Sequence, residues 1–156
     1  MGTVKGLQQI HGYLFGGLYD FAGMIRTKTI SKGGFTFCLA QYLPQQLQVV
    51  ERMPETTFDE IADKYVEMNV CHPFMEGNGR STRICLDMML KARLGKCVDW
   101  SKIEKSAYLQ AMTASVADGS RIEQLLWNAL TDDISSREMF MKGIDYSYYY
   151  EQEDEV

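Results

Sequence analysis

One segment of fourteen residues, CHPFMEGNGRSTRI, combines residue types that can bind and transfer phosphate groups. Its candidate functional residues are His72, Glu76, Gly77, Asn78, Gly79, Arg80 and Arg83. A histidine near neutral pKa can take a proton from a hydroxyl group, a carboxylate can hold Mg²⁺, and arginines pair with phosphate oxygens. Their grouping indicates phosphoryl or nucleotidyl transfer, with positioning and charge stabilisation as the main catalytic devices.

The two arginines carry the strongest part of this argument. Arg80 and Arg83 fall in the first turns of a predicted helix, where unpaired N–H groups already create a positive potential. Each exposed cation there costs about 0.3–1 kcal/mol, and no acidic residue follows until Asp87. A bound anion reverses the sign of this cost. The pattern therefore favours an anion site over a purely structural start of a helix.

The run Gly77-Asn78-Gly79 supplies the turn that such a site needs. Two glycines let a ligand approach the backbone closely, so that N–H groups can surround a phosphate, and the asparagine amide adds one donor. Taken singly, Glu76 and His72 each have two interpretations. Glu76 is either a Mg²⁺ ligand or an acid that offsets the arginines, and His72 is either a general base or a helix cap. His11, on an amphipathic face, is interpreted as a core residue without chemistry.

The elements that must position these residues are mostly helical. Helices are predicted at about 4–21, 39–52, 57–72, 79–95, 101–116, 120–130 and 136–151, from apolar residues at three- and four-residue spacing. Four capping boxes are predicted, at Thr57–Glu60, Ser101–Glu104, Ser120–Glu123 and Ser135–Glu138. Because Pro73 disfavours the α conformation in the residue before it, the third helix must end near His72.

One segment, TKTISKGGFTFC, breaks the helical period and predicts a short β-hairpin around Lys32-Gly33-Gly34. From the residues alone a packed corner is slightly favoured over a flap that offers its backbone edge to a peptide.

Composition limits the remaining classes. At 156 residues, with 46% hydrophobic residues and a formal net charge of −5, the chain fits one domain and lacks the basic face of a general nucleic-acid binder. No run of 18 apolar residues predicts a membrane span. The four cysteines show no metal-type spacing and are expected to be reduced core thiols of a cytoplasmic protein.

The segment HPFMEGNGRSTR matches the signature H-x-F-x-[DE]-G-N-G-R-x-x-R of the Fic (filamentation induced by cAMP) family at every specified position. The upstream run HGYLFGGLYDFAGMIR also resembles that family, and the similarity runs over essentially the whole chain. The resemblance implies a mainly α fold, a helical bundle with a short β-hairpin flap, in a single Fic domain over residues 1–156.

The resemblance also implies an activity, the transfer of AMP from ATP to a Tyr, Thr or Ser hydroxyl of a target protein. In that activity His72 is the base, Phe74 anchors the loop, and Glu76 holds Mg²⁺. The anion hole is Gly77, Asn78 and Gly79, while Arg80 meets the γ-phosphate and Arg83 the β-phosphate. The flap that binds the target is Lys32, Gly33, Gly34, Phe35, Thr36 and Phe37, which makes the flap interpretation of the hairpin the preferred one.

The C-terminal segment 136–156 resembles the inhibitory helix and acidic tail of the short bacterial class of this family. Ser147 and Glu151 match the inhibitory pattern [ST]-x-x-x-E-[GN], in which the glutamate pairs with the first motif arginine. Gln152 departs from the pattern's last position. Residues Tyr148, Tyr149 and Tyr150 are either self-modification sites or packing residues. Self-association is plausible for this class, whereas direct nucleic-acid and membrane partners are not expected.

Three alternatives to AMP transfer remain open at this stage. The same site could remove AMP, transfer another nucleotide, or bind a nucleotide without catalysis as a sensor. Retention of both His72 and Glu76 disfavours the sensor, because binding alone needs no base.

Overall fold

The computed structural model describes residues 2–32, 35–139, 141–143 and 146, and these residues form a mainly helical fold. Its helices are α1 (Val4–Phe15), α2 (Leu43–Arg52), α3 (Phe58–Cys71), α4 (Asn78–Leu94), α5 (Lys105–Ala114) and α6 (Ser120–Asn128). A 3-10 helix spans Trp100–Lys102. Residues 137–139, 141–143 and 146 are also helical. The fold class predicted from the sequence is confirmed.

The core is organised around α4, which packs against α3 and α1, while α2 covers α3 and α5 packs against α6. Ile61, Leu86 and Leu90 are fully buried where α3 and α4 meet the surrounding helices. Cys71, Cys85 and Cys97 are buried free thiols and Cys38 is a half-buried one, as expected. No helix of the described residues is long and apolar enough to cross a membrane.

Two antiparallel β ladders complete the described fold. The strands β1 (Ser31–Lys32) and β2 (Phe35–Thr36) form the predicted hairpin. The strands β3 (Cys97–Val98) and β4 (Leu130–Thr131) form a second ladder that the sequence pattern did not predict. This second ladder ties the chain after α4 to the chain after α6.

Several predicted helix boundaries are wrong for local reasons. Helix α1 ends at Phe15 rather than near residue 21, because the chain turns through Gly16 and through Gly17, which has a φ of 86°. Helix α5 begins at Lys105 rather than at 101. The Asp99 carboxylate accepts hydrogen bonds from the Ser101 N–H and hydroxyl and caps the preceding 3-10 helix instead.

Of the predicted capping boxes, Thr57–Glu60 is confirmed with both of its hydrogen bonds. The Ser120 hydroxyl bonds to Asp118 instead of capping α6. Near the C-terminus the hydroxyl that accepts a helical N–H belongs to Ser136, not to the predicted Ser135.

Candidate active site

The candidate active site lies where α3 ends and α4 begins. His72 is the C-cap of α3 and adopts a left-handed conformation with a φ of 47°. Its Nδ1–H donates to the Asn69 carbonyl oxygen at 2.9 Å, since a carbonyl can only accept. This bond fixes the tautomer and leaves Nε2 with the lone pair. His72 thus has the arrangement of a general base whose second nitrogen is committed to orientation.

The environment of His72 keeps its ring neutral. Burial is the main cause that lowers its pKa to about 4, and the Arg26 and Lys32 cations lower the pKa further. The Phe37 ring stacks on the imidazole with centroids 3.7 Å apart and planes 8° apart. Phe37 follows β2, so the end of the hairpin contacts the candidate base directly.

The backbone of His72 is held by Arg26, a residue whose role was not predicted from the sequence. The Arg26 guanidinium is 4% exposed and donates to the carbonyl oxygens of Cys71, His72 and Cys38 at 2.6–2.9 Å. It also donates to the Lys28 carbonyl at 2.8 Å. Arg26 therefore links the end of α3 to both ends of the segment that carries the hairpin. Nothing in its sequence neighbourhood distinguishes it from a surface arginine.

The loop between the helices is anchored by Phe74 and Asn78. Phe74 is fully buried, as predicted. The Asn78 side chain accepts from the Phe74 N–H at 2.8 Å and donates to the Phe74 carbonyl at 2.6 Å. The Asn78 amide therefore braces the loop backbone through both its oxygen and its nitrogen. The expectation that it adds a donor for a phosphate stays a prediction, since the nitrogen carries a second N–H.

Gly77 and His11 meet at the back of this loop. Gly77 has a φ of 76°, and a Cβ there would lie 2.5 Å from Phe15 Cζ, so only glycine fits. His11 is fully buried; its Nδ1 accepts from the Gly23 N–H at 2.9 Å and its Nε2–H donates to the Glu76 carbonyl at 2.8 Å. Burial lowers the His11 pKa, which favours this neutral form. His11 lies in the core, as predicted, whereas its hydrogen bonds to the loop were not predicted from the sequence.

The two motif arginines occupy different environments at the start of α4. The Arg80 guanidinium carbon lies over the Phe15 ring, 4.8 Å from its centroid, and the residue is half-buried. Arg83 is 4% exposed, and its Nη1 donates to the Tyr108 hydroxyl oxygen at 3.2 Å. In the same turn Ser81 and Thr82 are buried and donate to the Gly77 and Asn78 carbonyls. Both arginines therefore flank an N-terminus that has no acidic residue in its first turn.

The other predicted residues lie around this centre. The Glu76 side chain is exposed beside the loop, and Gly79 lies in the first turn of α4. Lys32, Phe35 and Thr36 form the hairpin strands, whereas Gly33 and Gly34 lie outside the described residues. Ser147, Tyr148, Tyr149, Tyr150 and Glu151 also lie outside them. A cavity of about 550 Å³ lies next to Arg26 on the side of α2 and does not include the loop.

Comparison with known proteins identifies the family. The model of the Fic/DOC family matches residues 3–90, more than half of the chain, so the chain belongs to that family. The protein adenylyltransferase VbhT of Bartonella schoenbuchensis is 30% identical over 131 residues, which cover 77% of this chain and 27% of that protein. A probable protein adenylyltransferase Fic of Escherichia coli is 28% identical over 143 residues, which cover 85% of this chain and 71% of the relative. The chain thus spans about a quarter of the length of the first relative.

The fold is shared with solved structures. The BepC protein of Bartonella tribocorum, crystallised with bound AMPPNP, superposes with a TM-score of 0.73 at 20% identity, covering 83% of this chain and 74% of that one. The N-terminal Fic domain of a putative cell filamentation protein of Bartonella quintana, with bound ADP, gives a TM-score of 0.72 at 18% identity, covering 90% of this chain and 78% of that one. Both the family resemblance and the predicted Fic fold are confirmed.

Proposed function

We propose that this member of the Fic/DOC family transfers AMP from ATP to a Tyr, Thr or Ser hydroxyl of a target protein. The observation that carries the proposal is the neutral His72, whose Nδ1 is committed to Asn69 and which directly precedes the loop between α3 and α4. A site that only bound a nucleotide would not need an oriented base. The relatives named protein adenylyltransferases support the same activity class.

In the proposed reaction, His72 Nε2 takes the proton of the target hydroxyl while its oxygen attacks the α-phosphorus of ATP. The bond between the α-phosphorus and the oxygen bridging to the β-phosphate breaks, and pyrophosphate leaves. The charge on the phosphates is balanced by the N-terminus of α4, by Arg80 and by Arg83. Gly77, Asn78 and Gly79 bring backbone N–H groups close to the phosphates.

Magnesium fits this chemistry through Glu76. The Glu76 carboxylate is exposed while the carbonyl of the same residue is fixed by His11, so the side chain starts from a defined backbone position. A single carboxylate oxygen together with nucleotide phosphates is a donor set that Mg²⁺ accepts. When bound, the ion neutralises phosphate charge.

The hairpin is proposed to bind the target protein. Its short strands offer backbone hydrogen bonds to an extended segment. Because Phe37 stacks on His72, a segment aligned along Lys32, Gly33, Gly34, Phe35 and Thr36 would present its hydroxyl near the base.

We further propose that the C-terminal segment inhibits this reaction. In a helix, the spacing Ser147-x-x-x-Glu151 would place both side chains on one face, and a glutamate paired with Arg80 would exclude the γ-phosphate of ATP. The neighbouring residues Tyr148, Tyr149 and Tyr150 are proposed as acceptors of AMP when this contact is lost.

The test is transfer of label from α-³²P-ATP to protein in a bacterial lysate. Glu151→Gly should raise the labelling, Glu153→Gly is the matched tail control that should not, and adding His72→Ala to Glu151→Gly should abolish it. Equal labelling by the two glycine variants would refute the proposed inhibition but not the proposed transfer of AMP. Tight calorimetric binding of ATP and Mg²⁺ without transfer by Glu151→Gly would support the sensor and refute the transferase, and loss of label from a pre-modified target would support AMP removal.

A further inference from the structure

The C-terminus of α3 is capped by residues on either side of the hairpin. The last carbonyl groups of a helix have no partner within that helix. Here the Val70 carbonyl accepts from the Cys38 N–H at 3.4 Å. The Arg26 guanidinium donates to the Cys71 and His72 carbonyl oxygens at 2.9 and 2.7 Å. A cation at this end of a helix is also favoured by the helix dipole. The segment that carries the hairpin therefore completes the helix that ends at the candidate base.

The orientation of the His72 ring depends on this cap. The ring donates from Nδ1 to the Asn69 carbonyl at 2.9 Å while His72 has a φ of 47°. This left-handed conformation costs a residue with a Cβ about 1–2 kcal/mol. Arg26 holds the chain in it twice, through its guanidinium bond to the His72 carbonyl and through its backbone N–H, which donates to the Pro73 carbonyl at 2.9 Å. The direction of Nε2 is thus set by Arg26 as well as by Asn69.

The same guanidinium holds both ends of the hairpin segment. It donates to the Lys28 carbonyl at 2.8 Å and to the Cys38 carbonyl at 2.6 Å, and strands β1 and β2 lie between these residues. The Phe37 N–H donates to the Ile30 carbonyl at 3.2 Å, and the Phe37 ring stacks on the His72 imidazole. One side chain therefore fixes the backbone on both sides of this stacked pair.

We propose that Arg26 is a positioning residue that couples the hairpin to His72, so that the base and the target-binding strands keep one fixed relative position. The inference rests on the proposed function, in which His72 takes the proton of a hydroxyl that the hairpin presents. A planar guanidinium reaches its acceptors in fixed directions that an ammonium group does not reproduce. Since a displacement of reacting groups by about 1 Å can cost about 10²-fold in rate, Arg26 acts on the transfer without touching either substrate.

The first test is the tautomer of His72, measured by ¹⁵N NMR of the imidazole rings. The chain has two histidines, and their hydrogen bonds give them opposite tautomers: His72 carries its proton on Nδ1 and His11 carries it on Nε2. The His11→Gln variant identifies which signals belong to which ring. In Arg26→Met the His72 signals should become an average of the two tautomers, whereas the His11 signals should stay unchanged.

The second test is amide hydrogen exchange in the hairpin segment. The N–H groups of Phe37 and Cys38 should exchange roughly tenfold faster in Arg26→Met, because the segment loses the charged donor that holds both of its ends. Lys64→Met is the matched control. Lys64 is another buried cation, 3% exposed, but it donates to the Met53 carbonyl at 3.0 Å, in the connection between α2 and α3. Lys64→Met should leave both measurements unchanged.

The coupling requires both changes. A folded Arg26→Met protein that keeps a single His72 tautomer, or that keeps the slow exchange of Phe37 and Cys38, would show that the coupling is wrong. Loss of the His11 tautomer as well, or the same changes in Lys64→Met, would indicate a general structural defect and would also overturn the proposal.

Thermal melts show whether each variant folds, and Arg26→Lys is the second variant. It keeps the charge, but its ammonium group cannot serve the same four carbonyl oxygens. Arg26→Lys should show the same two changes to a smaller extent. Their absence in a folded Arg26→Lys protein would count against the proposal.

Transfer of label from α-³²P-ATP separates the coupling from the proposed function, with all proteins in this assay carrying Glu151→Gly. Arg26→Met should transfer label about 10²-fold more slowly than Lys64→Met. Its calorimetric affinity for ADP should change by less than about twofold, because the loop carbonyls of residues 74, 76 and 77 keep their donors.

Equal transfer rates in Arg26→Met and Lys64→Met would refute the positioning role and leave the proposed function standing. A loss of ADP affinity as large as the loss of rate would show that Arg26 acts on the nucleotide loop, which would also refute the coupling. If Glu151→Gly alone transfers no label, the proposed function is wrong and the role of Arg26 in the reaction falls with it.

Discussion

Substitution of Gly77 by alanine should lower the stability of the fold and damage the proposed phosphate site. The residue has a φ of 76°, and an added Cβ would come within 2.5 Å of Phe15 Cζ and 3.1 Å of Phe15 Cδ2. Phe15 is itself 1% exposed, so its ring has little space into which it can move. The Arg80 guanidinium lies over this same Phe15 ring, with its central carbon 4.8 Å from the ring centroid. A shift of the ring would therefore also disturb Arg80.

The expected magnitude has two parts. A left-handed conformation costs a residue with a Cβ about 1–2 kcal/mol. Overpacking in a dense core costs about 1–3 kcal/mol more. Gly77→Ala should therefore lower the free energy of unfolding by about 2–5 kcal/mol. Gly95→Ala is the matched control, since Gly95 has a φ of 62° and an added Cβ would meet nothing within 4 Å. Gly95→Ala should lower the free energy of unfolding only by the cost of the left-handed conformation, about 1–2 kcal/mol.

The assay is urea unfolding of both variants, with thermal melting as a second measure at about 2–4 °C per kcal/mol for a chain of this size. ADP binding should weaken in Gly77→Ala and stay unchanged in Gly95→Ala, which lies at the far end of α4. In a Phe15→Leu background the additional cost of Gly77→Ala should shrink, because the smaller side chain leaves room. Equal destabilisation by the two alanine substitutions would refute the steric argument.

Two further predictions concern the base and the loop. Because the low His72 pKa of about 4 preserves the neutral form, the acid limb of kcat/KM for AMP transfer should lie well below pH 6.5, with activity present above this limb and lost as the pH falls through it. Lys32→Ala removes a cation that lowers the His72 pKa and should move the limb to higher pH, whereas Lys28→Ala should not. An unmoved limb in both variants would contradict the role of the Lys32 charge. His11→Phe keeps a ring against Phe74 but removes the hydrogen bonds to Gly23 and Glu76, so calorimetry should show the ADP affinity reduced roughly fivefold. His11→Gln, which can still donate a hydrogen bond, should recover part of the lost ADP affinity. Equal ADP affinities in the two variants would show that the Glu76 bond is unimportant.

The sequence predicted the parts of this molecule that depend on local chemistry. The Thr57 capping box and Pro73 define both ends of α3, and Gly95 ends α4 as expected from its position. The loop motif likewise places its residues within one short segment, so their proximity does not depend on the rest of the fold.

What the sequence did not predict depends on partners distant in the chain. The β3–β4 ladder has strands of two residues, too short to show an alternating pattern. Tyr108 reaches Tyr65 across 43 positions, and Arg26 reaches Cys71 across 45. A polar side chain that binds a remote backbone or hydroxyl group leaves no period or spacing in the sequence.

The remote contacts orient the carbonyl groups of the loop that is proposed to bind an anion. Carbonyl oxygens repel phosphate, so a loop that binds phosphate with its N–H groups must direct its carbonyls elsewhere. Here the described carbonyls of residues 72, 73, 74, 76 and 77 all accept hydrogen bonds from protein donors. The donors of three of these bonds belong to Arg26 and His11, from the N-terminal part of the chain, and the others belong to Asn78 and Ser81 of α4. Gly77 gives the loop its left-handed turn, and these donors determine the direction in which the carbonyl dipoles of the loop point.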